Sequence, residues 1–175
     1  MRRSVFDQDH ELFRESVQNF AEREILPNVE AWERAGIIDK SMFRKAGQAG
    51  LLGTAVPTEY GGGGVADYRY NAVIDEVMTG SGAGASGMCI TLHNDICIPY
   101  FLSYSTQEQK DRWLPGLANG DLMTAIAMTE PGTGSDLAGI QTTAKLEGDH
   151  YIVNGAKTFV TNGINADVVI VVART

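Results

Sequence analysis

The sequence predicts an α+β protein: an N-terminal all-α helical bundle, followed by the first part of an antiparallel β domain that is incomplete. Two observations predict it. Through the first two-thirds of the chain, apolar side chains recur at the spacing of one helix face. Near Asp121 that pattern gives way to short β-type runs separated by turn signals. The division falls between residues 1–121 and 122–175.

In LFRESVQNFAEREI the apolar positions Leu12, Phe13, Val17, Phe20, Ala21 and Ile25 form one stripe with charges opposite, and Pro27 is expected to kink or end the helix. SMFRKAGQAG reads as a short helix stopped by Gly50, and TEYGGGG as a loop. ADYRYNAVIDEVM has helical spacing again. MCITLHNDICIPYFL is apolar nearly all round, as a buried helix is. Ser105 and Glu108 have capping-box spacing at the start of QEQKDRWL. Trp32 and Trp113 lie in amphipathic helices and are expected as core or interface anchors.

The second part contains LMTAIAMT, TTAKLE, YIVN, KTFVT and DVVIVVA, five short runs read as a β-meander. Turns are expected at Glu147-Gly-Asp149, Asn154-Gly155 and Asn162-Gly163. An apolar last strand with no partner to follow reads as the opening of a larger, truncated domain.

Composition narrows the function. A net charge of −8 with no Lys/Arg cluster argues against a nucleic-acid surface. Arg2 and Arg3 are not followed by an apolar segment, so no secretory signal is read, and no run reaches the roughly 20 apolar residues of a membrane span. Cys89 and Cys97 read as buried free thiols in a reducing compartment, with the cytoplasm as the default. His10, His93 and His150 lack metal-ligand spacing, so no metal site is expected.

Three motifs have plain structural readings. Gly82-Ala-Gly84-Ala-Ser-Gly87 matches G-x-G-x-x-G, but a dinucleotide loop runs from a strand, and here a helical segment precedes it. It reads as a flexible helix–helix connection whose lack of side chains suits the lining of a cavity. Gly155-Ala-Lys157-Thr158 resembles the end of a P-loop with the wrong upstream spacing and reads as a hairpin turn. Asp75 and Glu76 are helix neighbours that point different ways, poorly placed to act as a catalytic pair. No nucleophile–base dyad is legible, and no residue is assigned a catalytic role.

One stretch differs. AMTEPGTGSD, from Ala127 to Asp136, holds Thr129, Thr133 and Ser135 hydroxyls with Gly132 and Gly134, and no basic side chain. Glycines that turn the backbone tightly and bring amides near a ligand suit a polar, hydrogen-bonding partner; a capped surface turn is the other reading.

Ala127-Met-Thr-Glu-Pro-Gly-Thr-Gly-Ser-Asp-Leu-Ala-Gly139 resembles the first signature of the acyl-CoA dehydrogenase family. Tyr151-Ile-Val-Asn-Gly-Ala-Lys-Thr-Phe-Val-Thr-Asn-Gly163 resembles a second family segment, with Val160 in place of Ile. The resemblance extends through Gly47–Gly53, Glu59–Gly62 and Gln107–Lys110, and Thr91–Asp95 with Ile98–Tyr100 is similar to long-chain members.

The resemblance implies an α-helical N-terminal domain, a β-barrel-like middle domain and a C-terminal four-helix bundle, of which this sequence would hold the first and half of the second. It implies FAD as cofactor, α,β-dehydrogenation of an acyl-CoA thioester, an electron-transfer flavoprotein as acceptor and a homotetrameric intact protein. The family's base is a glutamate of the C-terminal bundle, so none is assigned here, and Glu130 is not used for it. By position, Ile126, Met128 and Thr129 would face the isoalloxazine edge. Gly134 and Ser135 would lie near the pyrophosphate and the bound substrate thioester. Phe159, Val160 and Thr161 would sit at the ring, with the Thr161 hydroxyl toward N5. Many members carry Trp where this sequence has Phe159. The Gly80–Gly87 run would line the acyl cavity. An acyl-CoA oxidase is the alternative within the enzymes, and a short, non-catalytic binding module the alternative outside them.

Overall fold

The computed structural model describes residues 4–175, so the reading of Arg2 and Arg3 lies outside the described residues. These residues divide into two compact units, the first reaching to Met123 and the second spanning Thr124–Thr175.

The first unit is helical: α1 Gln8–Phe20, α2 Val29–Ala35, α3 Lys40–Gln48, α4 Tyr68–Gly80, α5 Gly84–Leu92, α6 Ile98–Tyr104 and α7 Gln107–Asn119. Asp7 caps α1, its carboxylate accepting from the backbone N–H groups of Asp9 and His10 at 3.1 and 3.3 Å. His10 completes the box where Glu or Gln is usual, its Nδ1 accepting from the Asp7 backbone N–H at 3.4 Å. Asp67 caps α4 and is held in its charged form by hydrogen bonds from Arg69, which keep its carboxyl well below the usual range. Arg69 also donates to the Val5 carbonyl, so one guanidinium ties both helix starts together.

Pro27 marks a junction rather than an end. The chain leaves α1 through a π-helical turn, Ala21–Ile25, and a 3-10 turn, Leu26–Asn28, then continues as α2. Gly50 has φ +73°, the left-handed conformation expected after a helix stop. The core beneath these helices includes Val17, Phe20, Ile25, Phe43, Leu51, Ile74, Met78 and Ile90. Trp32 packs against it, and Trp113 meets Phe101 edge to face with ring centroids 5.5 Å apart.

Two helical expectations need correction. The N-cap of α7 is Thr106, boxed with Gln109 rather than Ser105 with Glu108, because Thr106 reaches the Gln109 N–H while Gln109 returns to the Thr106 N–H. That helix also continues through Pro115, where burial of Leu114, Leu117 and Ala118 offsets the lost hydrogen bond. The Gly82–Gly87 run is not a flexible connection throughout, since Gly84 already begins α5. A Cβ on Gly87 would lie 2.9 Å from the Met78 Sδ, so its smallness serves the packing of α5 on α4.

The apolar MCITLHNDICIPYFL segment is interrupted by a π-helical turn, His93–Cys97, between α5 and α6. The extra residue in that turn brings consecutive polar side chains to different partners. His93 Nε2 lies 2.9 Å from the Leu117 carbonyl, and burial drives its imidazole down to about 4. Asn94 donates to the Leu51 carbonyl at 2.7 Å and accepts from the Gly53 N–H at 3.0 Å. Asp95 accepts from Asn71 on α4 at 2.7 Å.

The second unit is a small β assembly: β1 Thr124–Ala127, β2 Thr143–Glu147, β3 His150–Asn154 and β4 Val168–Val171. β2 and β3 form the expected antiparallel hairpin, with Gly148 at φ +65° in its turn. The expected meander fails elsewhere, because β1 pairs with β4 in parallel, from Thr124 with Val168 to Ala127 with Val171. Beyond β4, Arg174 exchanges backbone bonds with Thr142 and Ala144, linking the two ladders.

KTFVT is not a strand. Phe159 at φ 54° and Asn162 at φ 66° are left-handed, which no ladder accommodates. Asn154-Gly155 and Asn162-Gly163 are therefore not hairpin turns. Instead the Asn162 carbonyl accepts from Asn165 and Ala166 N–H groups at 2.9 and 2.8 Å, closing a local coil.

Candidate functional site

Two segments of the second unit run side by side. The Thr158 N–H donates to the Thr129 carbonyl at 2.9 Å, and the Asn162 amide donates to the Thr124 carbonyl at 2.9 Å. These bonds bracket residues 159–161 alongside residues 125–128. Six sequence-predicted residues therefore come together on one edge: Ile126, Met128 and Thr129 from the first segment, Phe159, Val160 and Thr161 from the second.

All but one of the six are half-buried. Phe159 is 91% exposed, and its left-handed backbone is a costly conformation for a bulky residue. A ring held out in that way contributes nothing to this unit's core.

Gly134 and Ser135 lie on an exposed loop. Glu130 and Thr133 exchange backbone hydrogen bonds at 2.9 and 3.1 Å, closing a tight turn over Pro131 and Gly132. Neither Gly132 nor Gly134 has positive φ, and a Cβ on either would meet open space. Gly132 thus sits in a tight turn that does not require positive φ of it, and the bareness of both glycines leaves open surface.

Sequence reasoning missed Lys157 and Glu130, which anchor the loop from behind. The Glu130 carboxylate accepts from the Gln141 N–H at 2.6 Å, the Thr142 N–H at 2.8 Å and the Lys157 ammonium at 2.9 Å. Lys157 also donates to the Met128 carbonyl at 2.8 Å. The Thr142 side chain, the two N–H groups and Lys157 together pull the Glu130 carboxyl down to about 2. Among the described residues the Thr142 Oγ1 itself has no hydrogen-bond partner, so the backbone N–H of Thr142 is the bond that counts. Lys157 thus belongs to a buried ion pair, not to a hairpin turn. Only the N-G-x-K spacing beside a hydroxyl-rich loop hinted at it.

A cavity of about 340 Å³ beside this pair is lined by Glu130, Gly132, Thr133, Gln141, Thr142 and Gly155 among others. Gly155 is required there, because a Cβ on it would lie 2.2 Å from the Thr142 Oγ1.

The edge offers Thr129 and Thr161 hydroxyls, backbone amides and an aromatic ring. Lys157, the cation bonded to the Met128 carbonyl, is turned inward with a side chain 10% exposed. Such neutral donors fit the heteroatom rim of a flavin, which calls for hydrogen bonds more than for salt bridges.

Fold and edge together define a helical domain joined to a small β domain that presents a neutral, donor-rich rim. The family model for the acyl-CoA dehydrogenase N-terminal domain matches residues 7–121, and that for the middle domain matches residues 125–175. The chain belongs to the acyl-CoA dehydrogenase family.

It is 44% identical over 173 residues to the mitochondrial long-chain specific acyl-CoA dehydrogenase of Rattus norvegicus, covering 99% of this chain and 40% of that protein. The crystal structure of an acyl-CoA dehydrogenase from Geobacillus kaustophilus superposes with a TM-score of 0.93 at 48% identity, covering 99% of this chain and 45% of that one. An acyl-CoA dehydrogenase from Bacillus anthracis complexed with FAD superposes with a TM-score of 0.84 at 35% identity, covering 99% of this chain and 30% of that one. The chain spans about 40% of the length of the long-chain relatives it matches. No helix among the described residues is long and apolar enough to cross a membrane.

Proposed function

We propose that residues 1–121 and 122–175 supply the helical part and part of the flavin-binding β domain of a FAD-dependent acyl-CoA dehydrogenase. The observation that carries this reading is the bracketed edge, where Thr158 and Asn162 hold a left-handed, outward-facing Phe159 beside Ile126, Met128 and Thr129. Bound FAD supplies the hydride acceptor for α,β-dehydrogenation of a medium- or long-chain acyl-CoA.

The protein's own groups have the following roles. Thr129 and the neighbouring amides donate to the flavin edge, where neutral donors stabilise negative charge without needing to move. Phe159 and Val160 pack on the ring, and the Thr161 hydroxyl serves its N5 side. Gly134 and Ser135 serve the pyrophosphate and the thioester from the exposed loop. No residue among 1–175 is assigned the role of removing the α-proton. An electron-transferring flavoprotein as acceptor, a homotetrameric assembly and a cytoplasmic location complete the proposal. The buried thiols of Cys89 and Cys97 suit a reducing compartment of that kind.

Dye reduction by the intact protein across an acyl-CoA length series tests the proposal. Turnover of medium or long chains is expected, with none from residues 1–175 alone. An intact, FAD-loaded protein that turns over no acyl-CoA contradicts it, as does turnover by the isolated chain.

A further inference from the structure

The Glu130–Lys157 pair lies behind the proposed flavin edge. Its two side chains are only 5% and 10% exposed, so both charges are largely removed from water. Stability alone explains such a pair poorly, because well-packed apolar residues of similar volume do as well or better. What an apolar pair cannot do is hold a carbonyl. Lys157 Nζ donates to the Met128 oxygen at 2.8 Å, and Glu130 keeps the ammonium there from 2.9 Å. Glu130 is itself fixed by the Gln141 and Thr142 N–H groups.

The consequence falls on the next residue. The Met128–Thr129 peptide is trans and planar, so a carbonyl held toward Lys157 turns the Thr129 N–H the opposite way. Among the described residues no backbone hydrogen bond engages that N–H. The Thr129 carbonyl is fixed in turn by the Thr158 N–H at 2.9 Å, so both ends of the residue are set. A cation on the Met128 oxygen also polarises the amide, making its N–H a stronger donor.

We propose that Lys157, seated by Glu130, is a positioning residue for the flavin: it aims and polarises the Thr129 amide toward the ring edge that gains negative charge on reduction. This rests on the flavin reading above. Lys157 acts through the peptide and does not touch the cofactor.

The experiment uses the intact protein. A folded wild type that neither carries nor takes up FAD sinks the flavin reading itself. Given a loaded wild type, the double variant Glu130→Gln/Lys157→Met removes both charges and the bond to Met128 without stranding one ion. It is expected to lose at least tenfold of its preference for reduced over oxidised flavin, a shift of about 30 mV to more negative potential for a two-electron couple. Lys157→Arg, which keeps the cation, is expected to restore at least half of that shift. A purely structural role would change thermal stability and leave the preference for reduced over oxidised flavin within twofold of wild type, a shift of under about 10 mV, and that result overturns the proposal. Should the double variant not fold, hydrogen exchange at the Thr129 amide of the wild type decides. Slowing of at least tenfold on FAD binding supports the proposal, and unchanged exchange overturns it.

Discussion

The backbone N–H of Thr158 lies 2.9 Å from the carbonyl oxygen of Thr129, and this bond turns a β-prone run into one wall of the candidate site. Without it, KTFVT would be free to extend and pair as its composition favours. With it, Phe159 is left in a conformation that stability alone does not explain.

Phe159→Gly separates strain from function. Glycine adopts left-handed φ without penalty, and the lost ring is 91% exposed. Flavin-free protein carrying the substitution is expected to be as stable as wild type, or more stable by about 1 kcal/mol in denaturant titration. Its FAD affinity, measured by equilibrium dialysis, is expected to fall about tenfold, as loss of one aromatic packing partner implies.

His93 makes the helical unit acid-sensitive. Its folded imidazole titrates at about 4, below the ordinary 6.5, because burial opposes charge. The unfolded chain therefore binds the proton first, and stability present above pH 6.5 is lost as pH falls toward 4. This group contributes roughly 3 kcal/mol to that loss. Chemical denaturation across that window is expected to show it, and His93→Leu to flatten the profile.

Asp75 acts in the opposite sense. Its carboxyl is raised to about 6 by burial and by Asp95, with which it shares a hydrogen bond. The folded state holds the proton more tightly, so this group favours folding at low pH and its contribution is lost as pH rises toward 6 and above. Asp75→Asn is expected to stabilise the protein by about 1 kcal/mol at pH 7–8, after allowance for its partial exposure. The gain should vanish below pH 4.

Gly155→Ala is expected to destabilise the β unit by about 1–3 kcal/mol, since the new methyl would meet Thr142 Oγ1 at 2.2 Å and Cα at 2.7 Å. Amide exchange should accelerate along β2 and β3, while the helical unit keeps its protection.

Much of this was legible in the sequence. The periodic stripe of Val17, Phe20 and Ile25 marked α1 because burial on one face leaves a local signature. The Glu147-Gly-Asp149 turn marked the β2–β3 hairpin for the same local reason. The parallel pairing of β1 with β4 was not legible, since it joins distant segments and two apolar runs do not encode their relative direction. Within the site, the hydroxyls and glycines of residues 127–136 drew notice by composition. Lys157 and Glu130 did not, because a buried ion pair is written in the sequence as two ordinary charges.

The most direct measurement is the visible absorption of the purified intact protein as a long-chain acyl-CoA is added without oxygen. A bound flavin that bleaches on that addition is the predicted result. A folded protein that shows no flavin absorption, even after incubation with FAD, contradicts the assignment of this edge.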